Sequence, residues 1–385
     1  MLAYIPRTAT DALQKIARYY PIVSLTGPRQ AGKTTLLREV YPEYTYISFE
    51  DLSYRSQFNE DPRGFLAQYG NRVIFDEAQR VPDLFSYLQG VVDEDRTPGR
   101  FILSGSQNFL LLENITQSLA GRVGIVRLLP LDFRELKGAG MLPQTAPEAI
   151  FRGGYPASYQ IGIPPEIFYP SYLSSYLERD ISHLVRESNM GEFRLLLEFC
   201  ATGVGQTLDY TYFAKRLRLS GVTVKKWIHH LVAGYVVFTV GPYFDNFGKR
   251  LVKAPKLYFT DTGLATYLLR LRSAEEVKSS NYYGALFENM VVANRYKQRH
   301  HAGDSQPFYH FRDTNGVEVD LLDKAADTIT LTEIKASQTI REQQTKNLRK
   351  IAGAAKEDQV RLEVIYGGRE RTQAFGAEFI PWSEG

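Results

Sequence analysis

The chain has 385 residues and a single cysteine, Cys200. One thiol excludes an internal disulfide and any Cys-rich metal site, and it fits a reducing cytoplasm. Long apolar runs are also missing, since none approaches the roughly 18 residues that a membrane helix needs. Arg7, Asp11, Lys15 and Arg18 interrupt residues 1–20, so no signal peptide is expected there. Charge of one sign is scarce: 46 Lys and Arg face 43 Asp and Glu, and a net +3 names no partner by itself. Internal repeats and low-complexity tracts are absent from the sequence. What is abundant is apolar bulk, with 44% hydrophobic residues, 25 Tyr and 22 Phe. That bulk can build large cores and argues against global disorder. The expectation is a soluble cytoplasmic protein of two or three domains.

Five short apolar runs alternate with helical patterns over residues 1–140. They are 21–26 (PIVSLT), 44–49 (YTYISF), 72–75 (RVIF), 101–104 (FILS) and 124–129. Continuous apolar strands between helices predict an α/β fold, with a parallel sheet covered on both faces. A Gly/Pro-rich connector follows over 138–165, with GGYP at 153–156, and then a helical stretch over 170–201.

Gly27-Pro28-Arg29-Gln30-Ala31-Gly32-Lys33-Thr34-Thr35 contains G-x-x-x-x-G-K-[ST] between a predicted strand and a helix. This P-loop context lets backbone N–H groups wrap phosphates at a helix N-terminus. Lys33 reaches the β- and γ-phosphates of ATP, and the Thr34 hydroxyl ligates Mg²⁺. Val73-Ile74-Phe75-Asp76-Glu77 places two acids at the C-terminal end of a strand, where open α/β sheets bind ligands. Asp76 suits Mg²⁺, and Glu77 suits deprotonation of the attacking water. A small-molecule kinase has no need of Glu77, so the pair points to hydrolysis. The strand FILSGSQ ends near Ser106 and Gln107. If it lies between the two motif strands, either residue can sense the γ-phosphate; the alternative is a polar turn.

With these motifs in hand, the chain resembles the AAA+ superfamily. It is most similar to prokaryotic ATPases that join an N-terminal AAA-type domain to a C-terminal domain of unknown function of the DUF4143 type. GPRQAGKTT, VIFDEAQ, ILSGSQ, SLAGR and GGYP stand in the family's order, and the likeness extends to the C-terminus. The resemblance implies sheet order 5-1-4-3-2 and a homo-oligomer, with a hexameric ring among the forms it allows. It also makes Arg122 an arginine-finger candidate, against the alternative of a local ion pair. Arg152 and Arg179 are the candidates for a sensor-2 arginine.

Residues 212–231 read as helix, turn, helix, with Phe213, Leu217, Val224, Ile228 and Leu231 on one apolar face. Residues 236–240 and 250–258 can form a wing hairpin around 246–248. Lys215, Arg216, Arg218, Lys225, Lys226, Lys249, Arg250, Lys253 and Lys256 face only Asp209 and Asp245 over 205–256. Such a local excess is the footprint of a phosphate backbone, DNA ahead of RNA. Winged helices also serve as protein-interaction modules.

Glu288 lies in a helical pattern, followed by Glu318-Val319-Asp320 and Glu333-Ile334-Lys335. Residues two apart in a strand share a face, so Glu333 and Lys335 project together and Asp320 can meet them from the next strand. Such carboxylates can hold a hard divalent cation, with Lys335 beside it. The pattern looks like the PD-(D/E)XK nuclease signature, with Asp320, Glu333, Lys335 and Glu288 as its site; the alternative is a salt bridge on an inactive fold. His300 and His301 are expected to be solvated, because neighbours on a helix cannot share a metal.

The expected organisation is therefore an AAA-type P-loop ATPase domain (1–140), a helical connector or lid (141–204), a winged helix-turn-helix (205–275) and a small α/β nuclease-like domain (276–385). The expected function is hydrolysis of ATP with Mg²⁺, acting on or with nucleic acid. The rival is an ATP-dependent switch or assembly protein whose C-terminal domain binds a partner without cleaving.

Overall fold

The computed structural model describes residues 4–105, 118–182, 184–243, 254–313, 316–353 and 359–385. Ser106 and Gln107, together with Lys249, Arg250 and Lys253, lie outside these residues. The chain divides into two compact units. Unit 1 comprises Met1–Leu131 with Ala233–Tyr235 and Lys297–Ser305. Unit 2 comprises Asp132–Val232, Val236–Tyr296 and Gln306–Gly385. The segments 141–204, 205–275 and 276–385 thus share one unit, apart from the two short pieces that belong to unit 1.

Unit 1 holds strands β1 (Ile22–Thr26), β2 (Thr45–Ser48), β3 (Val73–Asp76), β4 (Phe101–Gly105) and β5 (Val123–Arg127). All ladders are parallel, in the order β2-β3-β4-β1-β5. Read from the β5 edge this is 5-1-4-3-2. Helices α1 (Ala9–Ala17), α2 (Lys33–Val40), α3 (Leu52–Glu60), α4 (Pro62–Gln68) and α5 (Asp83–Glu94) belong to the same unit. The pleat sends alternate residues to opposite faces. Ile22, Phe75, Phe101 and Leu103 join one core with Phe49 and Leu84, and Val23, Leu25, Ile74 and Ile102 join the other with Leu13 and Leu36. Both faces are dry, which is why the strands read as unbroken apolar runs. The Phe75 ring stacks on Phe49 at 5.7 Å and on Phe101 at 6.1 Å between centroids.

Unit 2 is built on an eight-stranded mixed sheet in the order β12-β13-β11-β10-β9-β8-β6-β7. Its strands are β6 (Val237–Pro242), β7 (Lys256–Phe259), β8 (Tyr309–Arg312), β9 (Glu318–Ala325), β10 (Thr328–Lys335), β11 (Gln359–Tyr366), β12 (Thr372–Ala374) and β13 (Ala377–Pro381). Helices α6 (Phe133–Gly138), α7 (Ala146–Arg152), α8 (Pro156–Gln160), α9 (Pro165–Tyr176) and α10 (Met190–Thr202) precede the sheet. So do α11 (Tyr210–Leu217) and α12 (Gly221–Ala233), while α13 (Thr262–Leu268), α14 (Ala274–Ser279), α15 (Tyr283–His301) and α16 (Lys346–Ala352) are interleaved with it. β6 pairs antiparallel with β7 and parallel with β8, through Gly241 and Tyr309. The hairpin expected as a separate wing is therefore the edge of the sheet that carries the C-terminal carboxylates.

The expectation that His300 and His301 are solvated is corrected. His301 has no exposed surface and His300 is 7% exposed. Both belong to the end of α15 that packs in unit 1, where the Leu129 N–H donates to His301 Nε2 at 3.1 Å. His300 Nδ1 lies 3.4 Å from an Arg127 guanidinium nitrogen. Burial, reinforced by the Arg127 charge, lowers His300 to about 4. Helical spacing argued only about metals, and it carried no information on tertiary burial.

The GGYP stretch is a structural lock. Gly153 has φ 68°, and a Cβ there would collide with the Tyr169 hydroxyl and the Asp261 carboxylate. The Gly154 N–H donates to Asp261 at 2.6 Å, as does the Tyr169 hydroxyl at 2.6 Å. Asp261 also caps α13, accepting from the Gly263 and Leu264 N–H groups. A carboxylate that is 2% exposed is tolerable only because donors surround it. Asp261→Ala strips several buried donors of their acceptor and should lower unfolding stability by about 3 kcal/mol. Denaturant titration of the purified variant checks this, and a midpoint within error of the wild type excludes the lock.

Candidate functional site

The order β3-β4-β1 brings two motifs together. The P-loop follows β1, and Asp76 ends β3, with β4 between them. Gly27 has φ 154°, and a Cβ there would strike the Leu128 carbonyl oxygen, so this turn requires glycine. Lys33 is 7% exposed, and its ammonium donates to the Gly27 and Pro28 carbonyls, both at 2.9 Å. The Thr34 hydroxyl donates to Asp76 Oδ2 at 2.8 Å. Asp76 also accepts from the Tyr46 hydroxyl at 2.5 Å, from the Ser104 hydroxyl and from the Glu77 N–H at 3.1 Å. Burial, then the bond to Asp76, pushes the Tyr46 phenol up to about 12, so it stays a donor at neutral pH. Thr34, Asp76 and Ser104 present only oxygen, the donor set that a hard Mg²⁺ prefers.

Glu77 holds φ 54°, a left-handed conformation that costs a non-glycine residue about 1–3 kcal/mol and clusters at functional sites. Gln79, 5% exposed, donates its amide to Glu77 Oε2 at 2.6 Å. Tyr235 belongs to unit 1 and shares a 2.8 Å hydrogen bond with the hydroxyl of Thr26, just before the P-loop. Sequence reasoning missed Tyr46, Ser104, Gln79 and Tyr235. Ser104 was legible in the β4 motif; the others needed strand pairing or long-range packing. Arg122 makes a two-pronged pair with Asp93 of α5, at 2.7 and 2.8 Å. Arg152 donates to the Ser158 carbonyl at 2.7 Å and lies over the Tyr159 ring.

In unit 2, Asp209 caps α11, and the Ser220 hydroxyl accepts from the Thr223 N–H at 3.0 Å to start α12. Phe213, Leu217, Val224, Ile228 and Leu231 are buried as expected, with Trp227 beside them. Lys215, Arg216, Arg218, Lys225 and Lys226 are exposed. Lys256 is not part of that surface, being 2% exposed.

Lys256 instead enters the carboxylate cluster. Its ammonium lies 2.6 Å from Glu318, 3.1 Å from Glu288 and 3.7 Å from Asp320. Lys335 lies 2.6 Å from Glu333 and 3.8 Å from Asp320. Tyr258 donates to Glu288 at 2.7 Å, and the Ile334 N–H donates to Asp320 at 2.8 Å. The structure thus gathers Glu288, Asp320, Glu333 and Lys335, and adds Glu318, Lys256 and Tyr258. Glu318 was legible from the two-residue period with Asp320; Lys256 was miscounted as surface charge. Among the described residues, no three of these carboxylates bring ligand oxygens all within 4.8 Å of one another. As arranged, they do not fit a metal centre.

Burial, then repulsion from Asp320, raises both Glu288 and Glu333 to about 7. The Glu318 carboxyl is also pushed up by burial, but the Lys256 charge outweighs this and leaves it lowered. For Lys256 burial acts downward, and the three acids more than reverse it.

Residues 19–137 match the AAA domain, residues 143–275 a domain of unknown function (DUF8612) and residues 283–384 a domain of unknown function (DUF4143). Two mycobacterial proteins, Rv2008c of Mycobacterium tuberculosis and Mb2031c of Mycobacterium bovis, are each 30% identical over 371 residues, covering 95% of this chain and 80% of theirs. This chain belongs to their family. A Haemophilus influenzae protein is 22% identical, covering 92% of each chain. Among solved structures, the Walker-type ATPase paby2304 of Pyrococcus abyssi is similar at 18% identity and TM-score 0.46, over 68% of this chain and 94% of that one. The AAA-domain match and the P-loop geometry together assign ATP binding to unit 1. Among the described residues no helix is long and apolar enough to cross a membrane.

A carboxyl raised to about 7 keeps, in the folded state, a proton that the unfolded chain has released above about 4.5. Its contribution is therefore complete at low pH and is lost as pH rises through 7. In EDTA, raising the pH from 5.5 to 8 should stabilise Glu333→Gln relative to the wild type by about 2 kcal/mol. Thermal melts at the two pH values check this; a mutant effect of equal size at both pH values refutes it.

Proposed function

We propose that the chain hydrolyses ATP in unit 1 and couples this to action on or with nucleic acid through the helix-turn-helix of unit 2, acting as a winged helix. The observation that carries the ATPase reading is the Thr34–Asp76 hydrogen bond of 2.8 Å. It joins the two motifs at one point. Thr34 and Asp76 would hold Mg²⁺, which when bound draws charge from the phosphate oxygens. Lys33 leaves the Gly27 and Pro28 carbonyls for the phosphates, exchanging two neutral acceptors for an anion. Glu77 takes the proton of the attacking water, and the Gln79 amide fixes which way its carboxylate points. Arg122, released from Asp93, would reach the nucleotide of a neighbouring copy in a ring.

The exposed basic residues of α11 and α12 support nucleic acid, DNA ahead of RNA, as the partner. The nuclease-like reading of unit 2 predicts Mg²⁺-dependent cleavage lost in Asp320→Ala. Substrate left intact after long incubation with Mg²⁺, Mn²⁺ and ATP removes that part. The second reading is an ATP-dependent switch or assembly protein that binds a partner without cleaving. Lys256 among the carboxylates favours it.

Glu77→Gln should lower kcat by roughly 10²–10³-fold while ATP is retained, and Gln79→Ala should lower kcat about tenfold with KM little changed. Phosphate-release kinetics beside nucleotide-binding titrations check both; wild-type turnover in Glu77→Gln would end the hydrolytic assignment. Reversing Lys215, Lys225 and Lys226 to Glu should weaken duplex DNA binding and reduce the salt slope by about 3. An unchanged slope points to a protein partner instead.

A further inference from the structure

Lys256 is an unusual member of an acidic cluster. It is held from both sides by backbone, since β7 pairs with β6 at Val240 and bridges to Thr207. Its ammonium is placed against three carboxylates and is shielded from water, with a side chain only 3% exposed. Removing four carboxylates from water is costly unless cations compensate within the cluster. Lys335 pairs with Glu333 at the more exposed side, where its own side chain is 40% exposed. Lys256 serves the interior.

One acceptor stays unmatched. Among the described residues, Glu333 Oε2 is buried with no hydrogen-bond partner, in a residue 8% exposed. A buried carboxylate oxygen with no donor is a place where a cation gains. Yet among the described residues no three of the carboxylates bring ligand oxygens all within 4.8 Å of one another while Lys256 lies among them.

We infer that Lys256 is the resident cation of this cluster, and that it and a divalent ion are alternatives for the same carboxylates. The inference rests on reading the cluster as nuclease-like. While Lys256 is seated, Glu288, Glu318 and Asp320 converge on its ammonium, which takes the place between them that an ion would need. Metal entry requires that ammonium to leave the three carboxylates. The hairpin that follows the helix-turn-helix thus carries the residue that closes the cluster.

The test is Mn²⁺ binding to the full chain, without nucleotide, followed by the electron paramagnetic resonance signal of the free ion. The wild type should show no Mn²⁺ binding that depends on Asp320. Lys256→Met should gain Asp320-dependent Mn²⁺ binding, at least about tenfold tighter than the weakest binding the assay detects, as expected when a unit charge near 4 Å is removed. Adding Asp320→Asn to Lys256→Met should abolish the gain. Lys256→Gln serves as a second variant that keeps hydrogen-bonding capacity, and circular dichroism checks folding of both. A folded Lys256→Met or Lys256→Gln that binds no better than wild type overturns the inference. So does Asp320-dependent Mn²⁺ binding by the wild type itself, a measurement that needs no Lys256 variant to fold. If the wild type binds Mn²⁺ through Asp320 and cleaves DNA, the Lys256 inference falls and the nuclease-like reading stands. If neither the wild type nor either variant binds Mn²⁺, both fall.

Discussion

The Asp76 carboxylate is the constraint on which unit 1 turns. It accepts from Thr34, Tyr46, Ser104 and the Glu77 N–H, so it ties the P-loop helix to strands β2, β3 and β4. A buried carboxylate must be surrounded by donors or become protonated. Here the donors come from four separate stretches of chain, namely helix α2, strands β2 and β4, and the residue that follows β3. The same bonds leave Thr34 and Asp76 side by side, as a shared cation requires. Stability and ligand geometry therefore come from one set of hydrogen bonds. The left-handed backbone at Glu77 is tolerated because β3 on one side and the Gln79 bond on the other determine its position.

Unit 2 handles buried charge in two ways. Asp261 is surrounded by hydrogen-bond donors from GGYP, Tyr169 and its own helix start. That arrangement is closed, with each donor matched to the acid. The Glu288–Asp320 cluster relies on ammonium groups instead, and its geometry is incomplete, because Glu333 keeps an unmatched oxygen. Two of its acids, Glu288 and Glu333, hold raised proton affinity because of burial and then repulsion from Asp320. A closed network belongs to architecture. The open one leaves a buried acceptor without a donor among the described residues.

Much of unit 1 was legible from local signals. Apolar runs bounded by turn residues located all five strands to within a residue or two, because a strand buried on both faces leaves no polar alternation. The P-loop and the Asp76-Glu77 pair carried their chemistry in contiguous residues. The helix-turn-helix was equally local, since Phe213, Leu217, Val224, Ile228 and Leu231 mark one face by spacing alone. Lys256 was misplaced for the opposite reason. A charge count over 205–256 treats every lysine as solvated, and nothing local distinguishes one aimed at acids some thirty or more positions away. His300 and His301 failed similarly, as their burial comes from contacts with Arg127 and Leu129.

By itself the sequence determined the strands of unit 1, the helix-turn-helix, the P-loop motif and the two-residue spacing that puts Glu318 with Asp320 and Glu333 with Lys335. These depend on backbone periodicity and on contiguous motifs, which operate over a few residues. Only the tertiary structure decided that GGYP closes on Asp261, that Arg122 pairs with Asp93, and that Lys256 leaves the basic surface to fill an acidic cluster. Those outcomes depend on which distant strands become neighbours. Burial then fixes the electrostatics, because a charge removed from water must find its partner within the fold.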